Sequence, residues 1–343
     1  MPSILVWNIE HSSGYQDVFS PKNQFVNEVL ARCIQKYGVS VIVLLEVTDT
    51  GSVAQFAYNR GLSLSTFGEG TTLKYAIMTS HAHECRDVTD YFPSFANKPR
   101  GMVHVSSANG SAIPPLLVTH IKSDLGMSGI ECLADIGNQM RENIHSSPRM
   151  WPYTGVIALA DWNLEASEAL KVTTVNGGRI VAPQEPTRYP SIPAHKIMQP
   201  VGNAKTLDYG CVFGALAANP SLGATVPDVF DLRSIKPLLD TYLERVGERV
   251  ATLNDKSALS EANLSAALTA GNLTEVGMNA ALDEQRQLSE SKDTFERVHD
   301  AISEFRDRIA SRDRLDDNDK RVFRQLVAQA GLGPDHVPVV ISW

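Results

Sequence analysis

Several short apolar runs in this chain end in residues that can bind cations or move protons. Asn8 closes the run Leu5-Val6-Trp7, and Glu46 closes Val41-Ile42-Val43-Leu44-Leu45. His120 follows Leu117-Val118-Thr119 and leads into Ile121-Lys122-Ser123. Asp161 and Asn163 come after Ile157-Ala158-Leu159-Ala160 as Asp-Trp-Asn, and Asp208 lies in Thr206-Leu207-Asp208-Tyr209. Asp335-His336 precedes Val337-Pro338-Val339-Val340. Each motif is weak alone. A strand-end Asn usually serves local hydrogen bonding, a lone His is more often a satisfied core residue, and a carboxylate after an apolar run can mean only that the strand has reached solvent. Together they form an inventory with a purpose. Hydrolysing a phosphodiester needs a metal to neutralise charge, a base to activate water, and donors for the developing phosphorane. Hard divalent ions prefer oxygen ligands, which Glu46, Asn8 and Asp335 can supply. His336 can act as base if a carboxylate such as Asp208 fixes its tautomer. His120, Asn163 and Asp161 remain for phosphate oxygens and the attacking water.

The elements that must hold these residues follow from apolar periodicity. Residues 3–9 read as a strand. Ser20-Pro21 opens a helix with a cap and an N1 proline, its apolar face running through Phe25, Val29, Leu30, Cys33, Ile34 and Tyr37 to Gly38. Val39 to Val47 is a continuous β-branched run, as expected of a strand covered on both faces. Further strands are expected at Leu73–Thr79, Met102–Ser106, Leu116–Ile121, Val156–Asp161 and Leu207–Phe213, with helices at Ile130–Ile144 and Glu165–Val172. Alternation of this kind implies a layered α/β domain, with chemistry at the carboxyl ends of its strands.

The character changes near Pro227. From there to Ala330 the spacing is helical, with stripes at Leu239, Leu243, Val246, Val250 and Leu253, at Leu288, Phe295, Val298, Ile302, Phe305 and Ile309, and at Val322, Phe323, Leu326 and Val327. Gly333-Pro334 then breaks the helix, and Val337–Ser342 alternates as a strand. The return to strand makes residues 227–330 a helical insertion, with 1–226 and 331–343 forming one core. The three/four spacing fits the seam of an intramolecular hairpin, and it also leaves room for a protein partner.

Composition narrows the class. The 343 residues are 43% hydrophobic and 20% charged, with a formal net charge of −8. A protein whose whole surface is a nucleic-acid footprint would be basic. An acidic enzyme can still hold a polyanion through a metal and a few local cations. Four cysteines without a C-x-x-C pair read as buried thiols in a reducing compartment. The run Ile4–Trp7 is too short for a secretory signal, and no stretch reaches the ~20 apolar residues of a membrane span. A cytoplasmic protein without membrane contact is the expectation. Gly68–Lys74 lacks phosphate-loop spacing, His81-x-His83 lacks further zinc ligands nearby, and Gly126–Gly129 is not a nucleophile elbow.

In order and local context the motifs resemble the endonuclease/exonuclease/phosphatase superfamily of metal-dependent phosphoesterases. Its early Asn is similar to Asn8, its strand-end metal Glu to Glu46, its Thr-His-Leu to Thr119-His120-Ile121, and its Gly-Asp-Phe-Asn to Ala160-Asp161-Trp162-Asn163. Its Asp-Tyr strand resembles Leu207-Asp208-Tyr209, its closing Asp-His-x-Pro-Val resembles Asp335–Val339, and Pro186-Thr187 sits where the family often carries Pro-Thr. Leu45, Ala160 and Pro334 depart from the usual Gln, Gly and Ser, but they are neighbours of site residues. The resemblance covers residues 3–213 and 334–343. It implies a four-layer α/β/β/α sandwich, here with an all-helical insertion before the last core strand, and Mg²⁺ or Mn²⁺ as cofactor. It also implies a carboxylate partner for His120, for which Glu69 is the candidate, and phosphate contacts at Arg100 and Lys122. A nuclease acting on DNA or RNA is the leading expectation. A phosphatase or phospholipase C-like hydrolase of inositol phosphates or phospholipids stays open, as does a non-catalytic binding protein on the same fold.

Overall fold

The computed structural model describes residues 3–9, 21–48, 50–68, 74–80, 82–95, 101–107, 114–122, 127–145, 155–189, 204–271, 274–329 and 333–343. They fall into two compact units. One comprises Met1–Pro190, Gly202–Val229 and Gly333–Trp343, and the other contains Phe230–Leu332.

The first unit holds two mixed sheets of six strands each. β1 (Ser3–Asn8) and β2 (Val39–Val47) run parallel, joined by α1 (Pro21–Tyr37). Gly38, at φ 60°, ends that helix in a left-handed conformation that lets the chain turn at once into β2. After α2 (Thr50–Asn59), the hairpin of β3 (Ser63–Phe67) and β4 (Lys74–Thr79) adds β4 antiparallel to β2. β12 (Val339–Ser342) pairs with the other side of β1 and carries β11 (Gly223–Thr225).

The second sheet repeats this plan. β5 (His83–Asp87) and β6 (Val103–Ser107) lead into parallel β7 (Leu116–His120) and β8 (Gly155–Asp161), joined by α3 (Gly129–His145). α4 (Ala166–Val175) follows, and β9 (Gly178–Val181) pairs with β10 (Asp208–Gly214), which lies antiparallel to β8. In both sheets, therefore, the carboxyl ends of the parallel pair and the start of the antiparallel neighbour lie at one end.

Strand alternation divides the side chains between layers. Val6, Val41, Val43 and Ile77 of the first sheet interdigitate with Val105, Val118, Ile157, Leu159 and Val212 of the second. A Cβ at Gly210 would come within 2.7 Å of Ile341 Cδ1, so the sheets close there only because the residue is glycine. On the outer face of the second sheet, Leu117, Ala158, Tyr209 and Phe213 share a core with Leu133, Ile136 and Met140 of α3 and Ala169 of α4. On the outer face of the first, Leu44 and Met78 meet Val26 and Leu30 of α1 and Val53 and Phe56 of α2 around one small cavity. The layers are helix, sheet, sheet, helix. β3, β5, β9, β11 and α2 were not anticipated. The strands among them are short, and Ser63–Phe67 and His83–Asp87 are largely polar and half-exposed, so no alternation marks them.

The second unit is helical: α5 (Leu232–Thr269), α6 (Glu275–Ala310) and α7 (Asp317–Gln329). Asp231 caps α5, its carboxylate accepting from the Ser234 N–H while the Ser234 hydroxyl accepts from the Asp231 N–H. α5 and α6 pack as an antiparallel pair, Asp240 meeting Arg306 at 2.8 Å and the Lys236 ammonium donating to Ala310 O. Leu239, Tyr242, Val246 and Leu253 are buried on α5, and Val298, Ile302, Phe305 and Ile309 on α6. Phe323 of α7 stacks on Phe305 at 6.2 Å. Both long helices outrun their apolar stripes: none of the described residues 254–297 is buried. No described helix is long and apolar enough to cross a membrane.

Candidate active site

The same alternation that builds the core aims the site. Asn8 continues the series Ile4-Val6, His120 continues Leu116-Val118, and Asp161 continues Ile157-Leu159, all of which face the opposite sheet. Asp208 has the parity of Val212 on β10. Each is the last inward position at its end of the sheet, or the first. Trp162, with the opposite parity, is buried in the outer core, where its indole N–H donates to Tyr209 O at 3.0 Å. This anchors the Asp-Trp-Asn turn and keeps Asp161 and Asn163 on the site side.

Glu46 is the exception. Strict alternation would send it with Ile42 and Leu44 toward the helices. The β2–β4 register shifts between Leu44 and Val47, and Glu46 adopts φ 59°, a left-handed conformation rare for a non-glycine residue. The bulge re-aims the carboxylate. Asn163, at φ 47°, is the other such residue in the described chain. Backbone strain of this sort costs about 1–3 kcal/mol per residue and concentrates at functional sites.

The side chains converge as a chain of contacts. His336 Nδ1 lies 2.7 Å from Asp208 Oδ2, with His336 and Asp208 both buried. His336 Nε2 faces Asp161 Oδ2 at 3.7 Å and Asp335 Oδ1 at 3.6 Å. The Asn8 amide donates to Asp161 Oδ2 at 2.9 Å, and the Asn163 backbone N–H donates to Asp161 Oδ1 at 3.0 Å. The ring nitrogens of His120 lie 3.4 Å from Asp161 Oδ2 and 3.5 Å from Glu46 Oε1, and Lys122 Nζ meets the same Glu46 oxygen at 3.4 Å. The Asn163 side-chain amide donates to Ile121 O at 2.5 Å. All eight residues expected to act or bind metal thus stand together with Lys122. Glu69 and Arg100 lie outside the described residues. The described carboxylates beside His120 are Glu46 and Asp161.

Outer contacts fix the two approaches to the site. The Trp7 indole donates to His336 O at 2.9 Å. The Thr187 hydroxyl oxygen accepts from the N–H groups of both Leu207 and Asp208, at 2.9 and 3.0 Å, and Thr187 O accepts from Val337 N–H at 2.7 Å. The Pro186-Thr187 segment therefore stitches the start of β10 to the approach to β12. It also delivers Arg188, whose Nε lies 3.3 Å from Asp335 Oδ2. Sequence reading passed over Arg188, although it directly follows the Pro-Thr already singled out.

Burying this much charge is costly unless it is paired, and the titration of the groups shows it. Burial opposes the charged form of His336, but the charges of Asp208 and Asp161 outweigh it and raise the imidazole from 6.5 to about 10. Burial likewise raises the Asp208 carboxyl, against the pull of His336. Both partners of the pair thus hold on to the proton between them. For Asp161 burial is outweighed by His336, His120 and the Asn8 amide, which hold its carboxyl well below the usual range.

The donor set suits a hard divalent ion. Asp208 Oδ1 and Asp335 Oδ1 are buried and have no hydrogen-bond partner among the described residues. Ligand atoms of Asp161, Asp208 and His336 lie within 4.8 Å of one another. Carboxylate oxygens with incomplete hydrogen bonding are what Mg²⁺ or Mn²⁺ requires. The expected ligands Glu46 and Asp335 sit at opposite ends of the contact chain, linked through His120, Asp161 and His336.

No protein-family model matches the chain, and no curated protein does so. Among solved structures it is similar to TDP2 from Caenorhabditis elegans, at 17% identity over 68% of this chain and 90% of that one, with a TM-score of 0.45. It is similar to an endonuclease/exonuclease/phosphatase family protein from Bacteroides thetaiotaomicron, at 10% identity over 67% and 85% of the two chains, with a TM-score of 0.47. A 3′-5′ exonuclease from Neisseria meningitidis matches at 12% identity over 65% and 91%, with a TM-score of 0.45. The second of these bears the name of the superfamily that the sequence motifs resemble.

Proposed function

We propose that this protein is a divalent-metal-dependent phosphodiester hydrolase whose substrate is nucleic acid, DNA or RNA. The observation that carries the reading is the buried His336–Asp208 pair at 2.7 Å, with Nε2 of the imidazole directed at Asp161. Asp208 fixes the tautomer by accepting a hydrogen bond from Nδ1–H, which leaves Nε2 to accept a proton from water. Asp161, pinned by Asn8 and Asn163, keeps its charge and orients that water. His120 and Lys122 supply donors for phosphate oxygens beside Glu46, and Asn163 holds the turn that presents Asp161. Glu46 or Asp335, each with the carboxylates beside it, would hold Mg²⁺ or Mn²⁺, which would neutralise phosphate charge and offset the carboxylate field around His336.

The test is cleavage of labelled single-stranded DNA, duplex DNA and RNA with Mg²⁺ or Mn²⁺, by the protein and by His336→Ala. Metal-dependent cleavage that disappears in the variant supports the reading. Equal cleavage by both would remove His336 from the chemistry. Failure on every polymer, with phosphate released from small phosphoesters, would move the substrate to a phosphatase or phospholipase C-like class.

A further inference from the structure

Beside the site, three short segments pair without forming a named strand. Arg188 and Lys205 make an isolated antiparallel bridge with both backbone hydrogen bonds, at 2.9 and 3.1 Å. Arg188 also bridges antiparallel to His336, flanked by the bonds Tyr189 N–H to Asp335 O and Val337 N–H to Thr187 O. Residues directly opposite in an antiparallel bridge project to the same face. Lys205, Arg188 and His336 therefore form a row across three segments, with His336 at its inner end. Adjacent members are one strand spacing apart, about 5 Å at the backbone.

Two cations directly opposite each other on paired segments repel, and such pairs are destabilising. Asp335 meets Arg188 through Nε, and no described residue takes its Nη1 or Nη2. The Arg188 side chain is 42% exposed, and Lys205 is exposed with no described side-chain partner. The planar fork of a guanidinium suits a phosphate, and the lysine adds a point charge one spacing further out. A single phosphate beside His336 needs only the nearer cation.

We propose that Arg188 and Lys205 form a cationic row leading away from His336 that takes two successive phosphates of a nucleic-acid strand. Arg188 contacts the phosphate being cleaved and Lys205 the next one along. This rests on the hydrolase reading for what happens at the first phosphate, and it commits the substrate to a polymer.

The experiment compares a fluorescein-labelled oligonucleotide with bis(p-nitrophenyl) phosphate, a diester without a neighbouring phosphate. Lys205→Ala is expected to raise KM for the oligonucleotide about fivefold, the scale of one exposed charge contact, with kcat maintained. Its loss on the oligonucleotide should exceed that on the small diester at least threefold, and Lys205→Arg should restore it. The slope of log(kcat/KM) against log salt should shrink by about 0.7 for single strands or about 0.9 for duplex. Arg188→Gln should weaken both substrates. Equal effects of Lys205→Ala on the two substrates, or an unchanged KM and salt slope on a polymer that is cleaved, would overturn the row and leave the hydrolase reading standing. Fluorescence anisotropy of the same oligonucleotide on the His336→Ala protein, with and without Lys205→Ala, separates the two ideas. Binding that depends on Lys205, together with a wild-type protein that cleaves no polymer, would sustain the row and sink hydrolysis.

Discussion

Replacing Asp208 by Asn tests the centre of the site, because it removes one charge while keeping size and a hydrogen-bond acceptor. The carboxylate is fully buried, 2.7 Å from His336 Nδ1. Raising the imidazole from 6.5 to about 10 corresponds to a ceiling of about 5 kcal/mol at the ordinary conversion. Breaking a buried ion pair by removing one partner typically costs about 3–5 kcal/mol, so the two scales agree. The direction with pH is fixed by linkage. Below about 6.5 the unfolded imidazole is protonated as well, and the pair contributes in full. As pH rises toward 10 the folded state keeps a proton that the unfolded state has shed, so this contribution fades. Urea denaturation of the metal-free protein at pH 6, 8 and 10 should show stability falling with pH, more steeply in the wild type than in Asp208→Asn. The fall persists in part, because Asp161 and Asp335 still face Nε2. With Mg²⁺ the variant should lose about 10²–10⁴ in kcat, the range of general-base assistance, with KM little changed. A variant retaining a third or more of wild-type kcat, with the same pH dependence of stability, would refute the tautomer-fixing role.

Other consequences are as direct. Asn163→Gly keeps the backbone N–H that serves Asp161 and suits φ 47°, so the fold should hold while turnover drops at least tenfold. Asn163→Val should cost about 1–3 kcal/mol in chemical denaturation, because a β-branched residue resists that conformation; equal stability of the two variants would contradict the strain argument. Glu46→Gln should raise the Mg²⁺ concentration needed for half-maximal rate, and normal activity at the same low Mg²⁺ would remove Glu46 from the metal site. On acidification, Asp161 contributes stability above the ordinary carboxylate range that is lost as pH falls toward its depressed folded value. Asn8→Ala should therefore shift acid unfolding of the metal-free protein to higher pH. Deleting 230–332 behind a Gly/Ser linker should leave a folded core by circular dichroism. The cut belongs after Val229, because Arg32 donates to Val229 O and Tyr37 OH accepts from Asp228 N–H. A molten or insoluble product would show that the core depends on the helical unit.

Much of the first unit was legible because its strands carry strong local signals. The runs around β1, β2, β7, β8 and β10 are buried almost throughout, so continuous apolar sequence marked them, and each chemical residue was visible as the polar terminus of a run. The edge strands β3, β5, β9 and β11 were illegible for the converse reason. With few buried positions they owe their conformation to the neighbour they pair with. The long helices were recognised by stripes that cover only part of their length. α5 continues from Leu253 to Thr269 through Ser- and Ala-rich sequence, where helix propensity and the adjoining α6 maintain it.

By itself the sequence determined the kinds of group present and their positions at strand ends, because a polar side chain closing a buried run is a local feature. It also led to the expectation of a helical insertion between two stretches of one core, since strand character resumes after Gly333. Only the tertiary structure decided which groups meet. His120 lies between Glu46 and Asp161, Asp208 pairs with His336 across 128 positions of chain, and Arg188 arrives through a bridge to a segment far along the sequence. Pairing between strands is long-range, and hydrogen-bond register is not written in either strand alone. The aim of Glu46 depends on one irregular step in the β2–β4 ladder, which turns a side chain from the helix face to the site and leaves no mark in residue order.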